Sequence, residues 1–72
     1  MIAHEDPELL PWLMGIMNGR PTRAGDFLRS LAGAALRADF QNYREIRPAL
    51  LNIRDRYPQY DDPDPIADVR KA

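Results

Sequence analysis

Apolar residues recur along the chain with helical spacing in three separate segments. The first is apolar over nearly half its circumference, and its apolar residues are Leu9, Leu10, Trp12, Leu13, Met14, Ile16 and Met17. Asp6-Pro7-Glu8 is typical of a helix start, but the ring of Pro11 would clash with the carbonyl group four residues back. We therefore expect a separate turn over 7–10 and a regular helix from about Pro11 to Asn18, ended by Gly19.

The second segment predicts a helix from about Arg23 to Arg37, with Thr22 as its N-cap. The predicted core face consists of Phe27, Leu31, Ala34 and Ala38, flanked by Leu28 and Ala35. The opposite face carries Arg29, Ser30, Gly33 and Arg37. Because alanine lets a neighbouring helix approach closely, the second half of this helix is predicted to be the centre of the core.

The third segment begins at Asp39 or Asn42 and runs to about Arg56 or Tyr57, before Pro58. Its predicted core face is the row Tyr43, Ile46, Ala49, Leu50, Ile53 and Tyr57. Pro48 lies inside this segment, so we expect a kink or local break near residues 45–47.

These patterns predict an all-α fold, a small three-helix bundle with a kinked third helix. Residues 1–58 form a single helical domain, and residues 59–72 form an acidic, Pro-rich tail. The tail is predicted to be extended or disordered, because prolines alternate with aspartates in Asp61-Asp62-Pro63-Asp64-Pro65 and few apolar residues are available for burial.

The length and composition of the chain favour association with another macromolecule. A chain of 72 residues without cysteine has a small core and no disulfide to reinforce it. The acidic N-terminus does not resemble a secretory signal, and the most apolar stretch, Leu9 to Met17, is too short to span a bilayer. The expected location is therefore cytoplasmic, with no membrane partner.

Charge is unevenly distributed although the net value is only -1, since residues 20–56 hold eight arginines against four acids. Arg44, Arg47 and Arg54 fall within about 80° of one another on the third helix, alongside Leu51. One interpretation is a solvated flank whose arginine stems cover the edge of the core. The other is a docking surface, and the low net charge favours an acidic or mixed protein surface over nucleic acid.

The first helix offers a second candidate surface. Methionine adapts to partners and tryptophan anchors interfaces, which points to Trp12, Met14 and Met17. Core packing explains the same residues equally well. Because two neighbouring helices would not cover so wide an apolar face, we expect a homodimer or a protein partner.

The chain lacks the groups that most catalytic sites use. It has one histidine, His4, in the N-terminal segment, one serine, Ser30, on a polar helix face, and no cysteine. The tail aspartates lack the glycine and glutamate of an EF-hand loop, and the glycines are too scattered to cradle a phosphate. We therefore expect no enzymatic activity, no metal, no cofactor and no small-molecule substrate.

One resemblance rests on a run of short patterns over roughly residues 19–60. They are Phe27-Leu28 with Leu31-Ala32, Ala34-Ala35-Leu36-Arg37-Ala38-Asp39, Asn42-Tyr43, Arg47-Pro48-Ala49-Leu50-Leu51 and Tyr57-Pro58-Gln59-Tyr60. Together they resemble short uncharacterised helical proteins of bacteriophages, prophages and other bacterial mobile elements.

The resemblance implies a protein that binds a host protein stoichiometrically, for example as an anti-CRISPR inhibitor of a host defence system. The alternative function is a small nucleic-acid-associated regulator that binds through the arginines of the third helix.

Overall fold

The computed structural model describes residues 1–19 and 23–61, whose regular secondary structure is all helical, with no strand. Three α-helices span Leu10–Asn18 (α1), Asp26–Arg37 (α2) and Phe40–Arg56 (α3). Short 3-10 turns at Ala3–Glu5 and Pro58–Tyr60 precede and follow them. The predicted all-α architecture with three helices is confirmed.

The first helix accommodates Pro11 because this residue lies in its first turn. There the missing N–H would have no partner within the helix, so proline costs little. The preceding turn is joined to α1 by the Leu10 N–H, which donates to the Asp6 carbonyl oxygen at 2.9 Å. Gly19 ends α1 in the left-handed region, with φ of 71°.

The second helix begins later than the sequence predicts. Arg23, Ala24 and Gly25 are not helical, and Gly25 is the extended N-cap. Glycine disfavours the helix interior, whereas Asp26 suits the first turn because its charge complements the helix dipole. The predicted cap, Thr22, lies outside the described residues.

The core face of α2 also differs from the prediction. Its buried residues are Leu28, Ala32, Gly33 and Ala35, while Phe27 and Ala34 are exposed. α1 and α2 are the helices that approach each other most closely. Small residues on the buried face permit this close approach, and the apolar arc of α2 is wider than α1 can cover.

The third helix starts at the first of the two predicted positions, since the Asp39 carboxylate accepts the Asn42 N–H at 2.8 Å. Helix α3 continues through Pro48 to Arg56, and the kink stays a prediction. Tyr43 and Leu50 are buried, whereas Ala49 and Tyr57, expected in the core, are exposed. The core face of α3 is therefore narrower than its sequence period predicts.

The chain after α3 folds back on α1. The turn Pro58–Tyr60 contacts α1, and Tyr60 packs partly buried against the core. The rest of the predicted acidic tail, residues 62–72, lies outside the described residues. Within the part of the chain that is described, no helix is long and apolar enough to cross a membrane.

Candidate partner-binding surface

The first candidate surface, the arginines of α3, contacts the N-terminal segment. Asp6 is buried, with 1% of its surface exposed. Its Oδ2 accepts the Tyr43 hydroxyl at 2.7 Å and Arg47 Nε at 2.8 Å. Its Oδ1 accepts the Glu8 N–H at 3.1 Å and Arg47 Nη2 at 3.3 Å. Both oxygens thus have two donors, and we call Asp6, Tyr43 and Arg47 the Asp6 cluster.

The hydrogen bonds of the Asp6 cluster shift the pKa values of all three side chains. Burial alone would raise the pKa of Asp6, but hydrogen bonds from Arg47, Tyr43 and the Glu8 N–H outweigh it and lower this pKa below 3.8. Burial and the hydrogen bond to Asp6 raise the pKa of Tyr43 above its ordinary value. The hydrogen bond to Asp6 likewise raises the pKa of Arg47. The cluster is therefore a satisfied ion pair with a neutral tyrosine.

Of the other residues of this predicted surface, Arg54 and Leu51 contact the rest of the domain, whereas Arg44 is exposed. Arg54 donates from Nη1 to the Glu8 carbonyl oxygen at 2.7 Å, and Arg47 Nη2 also lies 3.3 Å from Glu8 Oε1. Leu51 is partly buried against the core, and Arg44 is exposed. The structure brings Arg47 and Arg54 together, but on the N-terminal segment of the same chain.

The second candidate surface, on α1, is also divided. Trp12 is fully buried, and its indole N–H donates to the Tyr57 carbonyl oxygen at 2.8 Å. It therefore presents no surface to a partner in this conformation. Met14 is partly buried, whereas Met17 is 44% exposed. Of the three residues predicted on α1, Met17 is the one most accessible to another molecule.

Met17 lines an open groove against α2. The groove has a volume of about 310 Å³ and is lined by Met17, Asp26, Arg29, Ser30, Gly33 and Arg37. A second hollow of about 280 Å³ adjoins it and shares Met17 and Arg29. Gly33 has no side chain to fill the groove, and a Cβ built there would lie 3.9 Å from Met17 Cε. We call the first of these hollows the Met17 groove.

Two phenylalanines missing from the predicted surfaces are the most exposed large apolar residues described. Phe27 is 66% exposed and Phe40 is 57% exposed. On α2, Phe27 begins a row with Ser30, Ala34 and Arg37, spaced three or four residues apart and all exposed. We call these four residues the outer row of α2. It lies beside the Met17 groove, with which it shares Ser30 and Arg37.

The distribution of charge along the sequence indicates the contact made by the Asp6 cluster, although the sequence analysis did not predict it. Residues 1–19 contain three acids and no arginine or lysine, while α3 contains four arginines. Opposite charges separated in this way favour contact between the two segments. The exposure of Phe27 had a weaker signal, because apolar and small residues extend around more than half of α2 and a single neighbour covers only part of such a helix.

A metal site needs several convergent ligand side chains. Within residues 1–19 and 23–61, no group of three or more histidine, cysteine, aspartate or glutamate side chains could hold a metal ion. Asp6 has no lone pair left for a ligand, because four donors already surround its carboxylate.

No protein-family model matches this chain, and no curated protein or solved structure is significantly similar to it.

Proposed function

We propose that this protein is a small interaction module that acts by binding another protein through the outer row of α2 and Phe40. The observation that carries the proposal is the exposure of Phe27 and Phe40, at 66% and 57%. Exposed aromatic side chains are common anchors of protein interfaces, since they bury a large area at a small entropic cost.

The helix positions of these phenylalanines strengthen the argument. Phe27 is the second residue of α2 and Phe40 is the first residue of α3. The first turn of a helix favours acidic side chains, because its free N–H groups carry partial positive charge. A phenylalanine at either position therefore adds little to the stability of its helix, which is consistent with a role in contact with another molecule.

The form of action that we propose is stoichiometric occupation of a partner's surface. In the mobile-element setting that the sequence resembles, the partner would be a host protein, for example a component of a defence system such as CRISPR-Cas. The geometry favours a protein partner over nucleic acid, because Arg47 and Arg54 already donate to Asp6 and Glu8. An acidic segment of the same chain thus covers much of that arginine surface.

Affinity capture with matched variants tests the proposal. The immobilised protein is exposed to bacterial lysate, the captured protein is identified and purified, and its binding is titrated. We expect saturable binding that Phe27→Asp and Phe40→Asp each weaken by at least about tenfold. Both variants place an acid in a first helical turn, so they are expected to fold.

The control is Ala49→Asp, which introduces the same charge at an exposed position of α3. It should leave the affinity within about twofold. Equal binding by all three variants, or the lack of any saturable partner, would refute the proposed function. Light scattering on the same samples identifies a second copy of the chain as the partner, if a dimer forms that Phe27→Asp dissociates.

A further inference from the structure

The Met17 groove differs from the outer row of α2 in its charge. Arg29 and Arg37 line the groove, and Arg23 lines the adjoining hollow, so three arginines border the two hollows. Asp26 is the one acid among the lining residues, and its carboxylate is fully exposed 3.9 Å from Arg29 Nη1. The groove is therefore positively charged on a chain whose net charge is -1.

Met17 is the one large apolar residue among those that line the groove. Met17 is 44% exposed above the bare backbone of Gly33, and Gly33 leaves open the space that a side chain would occupy. Methionine is unbranched and polarizable, so it adapts to differently shaped apolar side chains. An apolar residue can therefore lie on Met17 while polar groups on either side of it meet the arginines.

From this geometry we infer that the Met17 groove binds an acidic segment of a partner protein, with an apolar side chain on Met17 and carboxylates on Arg29 and Arg37. Arginine matches a carboxylate with two parallel hydrogen bonds, which favours carboxylates over uncharged polar groups. The inference rests on the proposed function, since it specifies the chemistry of the partner at a surface adjoining the outer row of α2.

The spacing of the arginines specifies the segment further. Arg29 and Arg37 are eight residues apart on α2, or about 12 Å along a helix axis that rises 1.5 Å per residue. An extended chain advances about 3.3 Å per residue, so about four residues span the same distance. The expected ligand therefore has two acidic residues three or four positions apart, with an apolar residue between them.

Selection from a displayed library of random dodecapeptides tests the inference on the full-length protein. We expect the enriched peptides to share the spacing of acids and apolar residue just described. A synthetic peptide with two glutamates four positions apart and a leucine midway serves as a defined probe in fluorescence anisotropy. Replacing both glutamates by glutamine should weaken its binding by at least about tenfold.

Charge reversal within the chain locates the binding site. Arg37→Glu and Arg29→Glu should each reduce affinity for the glutamate peptide by at least about tenfold. The matched control is Arg56→Glu, because Arg37 and Arg56 both lie in the last turn of a helix and both are exposed. The control should retain the affinity, and circular dichroism should show the same helix content in every variant.

Several results would overturn the inference. They are the enrichment of neutral or basic peptides, no enrichment at all, or equal loss of binding in Arg56→Glu. If a synthetic peptide of residues 61–72 binds more tightly than the glutamate peptide, the groove binds this chain's own acidic segment. If single-stranded DNA binds more tightly than the glutamate peptide, the groove binds nucleic acid. Arg29 lines the groove but lies outside the outer row of α2. If the captured partner depends on Phe27 but not on Arg29, the inference is wrong while the proposed function stands.

Discussion

Two of the contacts that hold this small domain together are built from opposite kinds of side chain. α1 and α2 approach closely because residues such as Ala32, Gly33 and Ala35 are small. The N-terminal segment is held to α3 by the long, polar side chains of the Asp6 cluster. The contact between α1 and α2 depends on side-chain size, and the contact between the N-terminal segment and α3 depends on charge. The first should therefore be weakened by larger side chains and the second by a change of pH.

The largest effect is expected from overfilling the contact between α1 and α2. Ala32 is fully buried, so Ala32→Leu forces extra volume between two closely spaced helices. Overpacking of this kind typically costs about 1–3 kcal/mol, and we expect about 3 kcal/mol because both backbones must move. Urea denaturation followed by circular dichroism measures the free energy of unfolding.

Ala34→Leu is the control for this substitution, because Ala34 lies on the exposed side of the same helix. It should change the free energy of unfolding by less than about 0.5 kcal/mol. Similar losses in the two variants would contradict the assignment of the buried face of α2.

Removing the charge at the centre of the Asp6 cluster should have the next largest effect. Asp6→Asn turns an amide toward the donors of Tyr43 or Arg47, which leaves at least one of them unsatisfied, and should cost about 2 kcal/mol near neutral pH. Thermal and urea denaturation measure the loss. Glu45→Gln, at an exposed position of α3, is the control and should be nearly neutral.

The loss in Asp6→Asn should depend on pH. The pKa of Asp6 is lower in the folded protein than its ordinary value of 3.8, so the folded state binds fewer protons than the unfolded state. Its contribution is therefore complete above about pH 4 and is lost as the pH falls through the folded-state pKa. Below pH 4 the free energy of unfolding of Asp6→Asn should depend less steeply on pH than that of the wild type. If the two proteins show the same dependence on pH, folding does not lower the pKa of Asp6.

The tyrosine of the cluster should have a smaller effect, at the opposite end of the pH range. Tyr43→Phe removes one buried hydroxyl and should cost about 1 kcal/mol. Because folding raises the pKa of Tyr43 above 10.0, its contribution is complete below about pH 10 and declines at higher pH. Unfolding free energies from pH 8 to 11 should decline less in Tyr43→Phe than in the wild type.

The smallest effect is expected at Gly33, and it should be stabilising. A Cβ there would make ordinary contact with Met17 Cε at 3.9 Å, so Gly33→Ala has room. Alanine favours a helix interior over glycine by up to about 1 kcal/mol, and we expect a gain of about half of that. A loss of stability in urea denaturation would show that α1 and α2 are too close for even one methyl group.

The sequence predicted the helices better than it predicted their faces. The separate turn before α1, the stop at Gly19 and the start of α3 at one of its two predicted positions follow from local chemistry, which the surrounding structure did not override. The buried face of α2 depends on where α1 lies, which the period of one helix cannot specify. Phe27 was therefore predicted in the core although the structure exposes it.

The predicted binding residues show the same limit. Arg47 and Trp12 were selected for side-chain chemistry that serves interfaces and cores equally well, and both make contacts within the chain. Met17 is the predicted residue that contributes to the surface proposed for a partner. Pairing between the acidic N-terminal segment and α3 spans some forty positions, beyond the reach of any local pattern.

The long span of the contacts to α3 and its end has a consequence for protein synthesis. The hydrogen bonds from Tyr43 to Asp6 and from Arg54 to Glu8 join residues 37 and 46 positions apart. During synthesis the N-terminal segment leaves the ribosome before the donors on α3, which follow it about 40 residues later. The nascent chain must therefore carry Asp6 and Trp12 unpaired until nearly all of the helical region has left the exit tunnel, and folding can be completed only after that point.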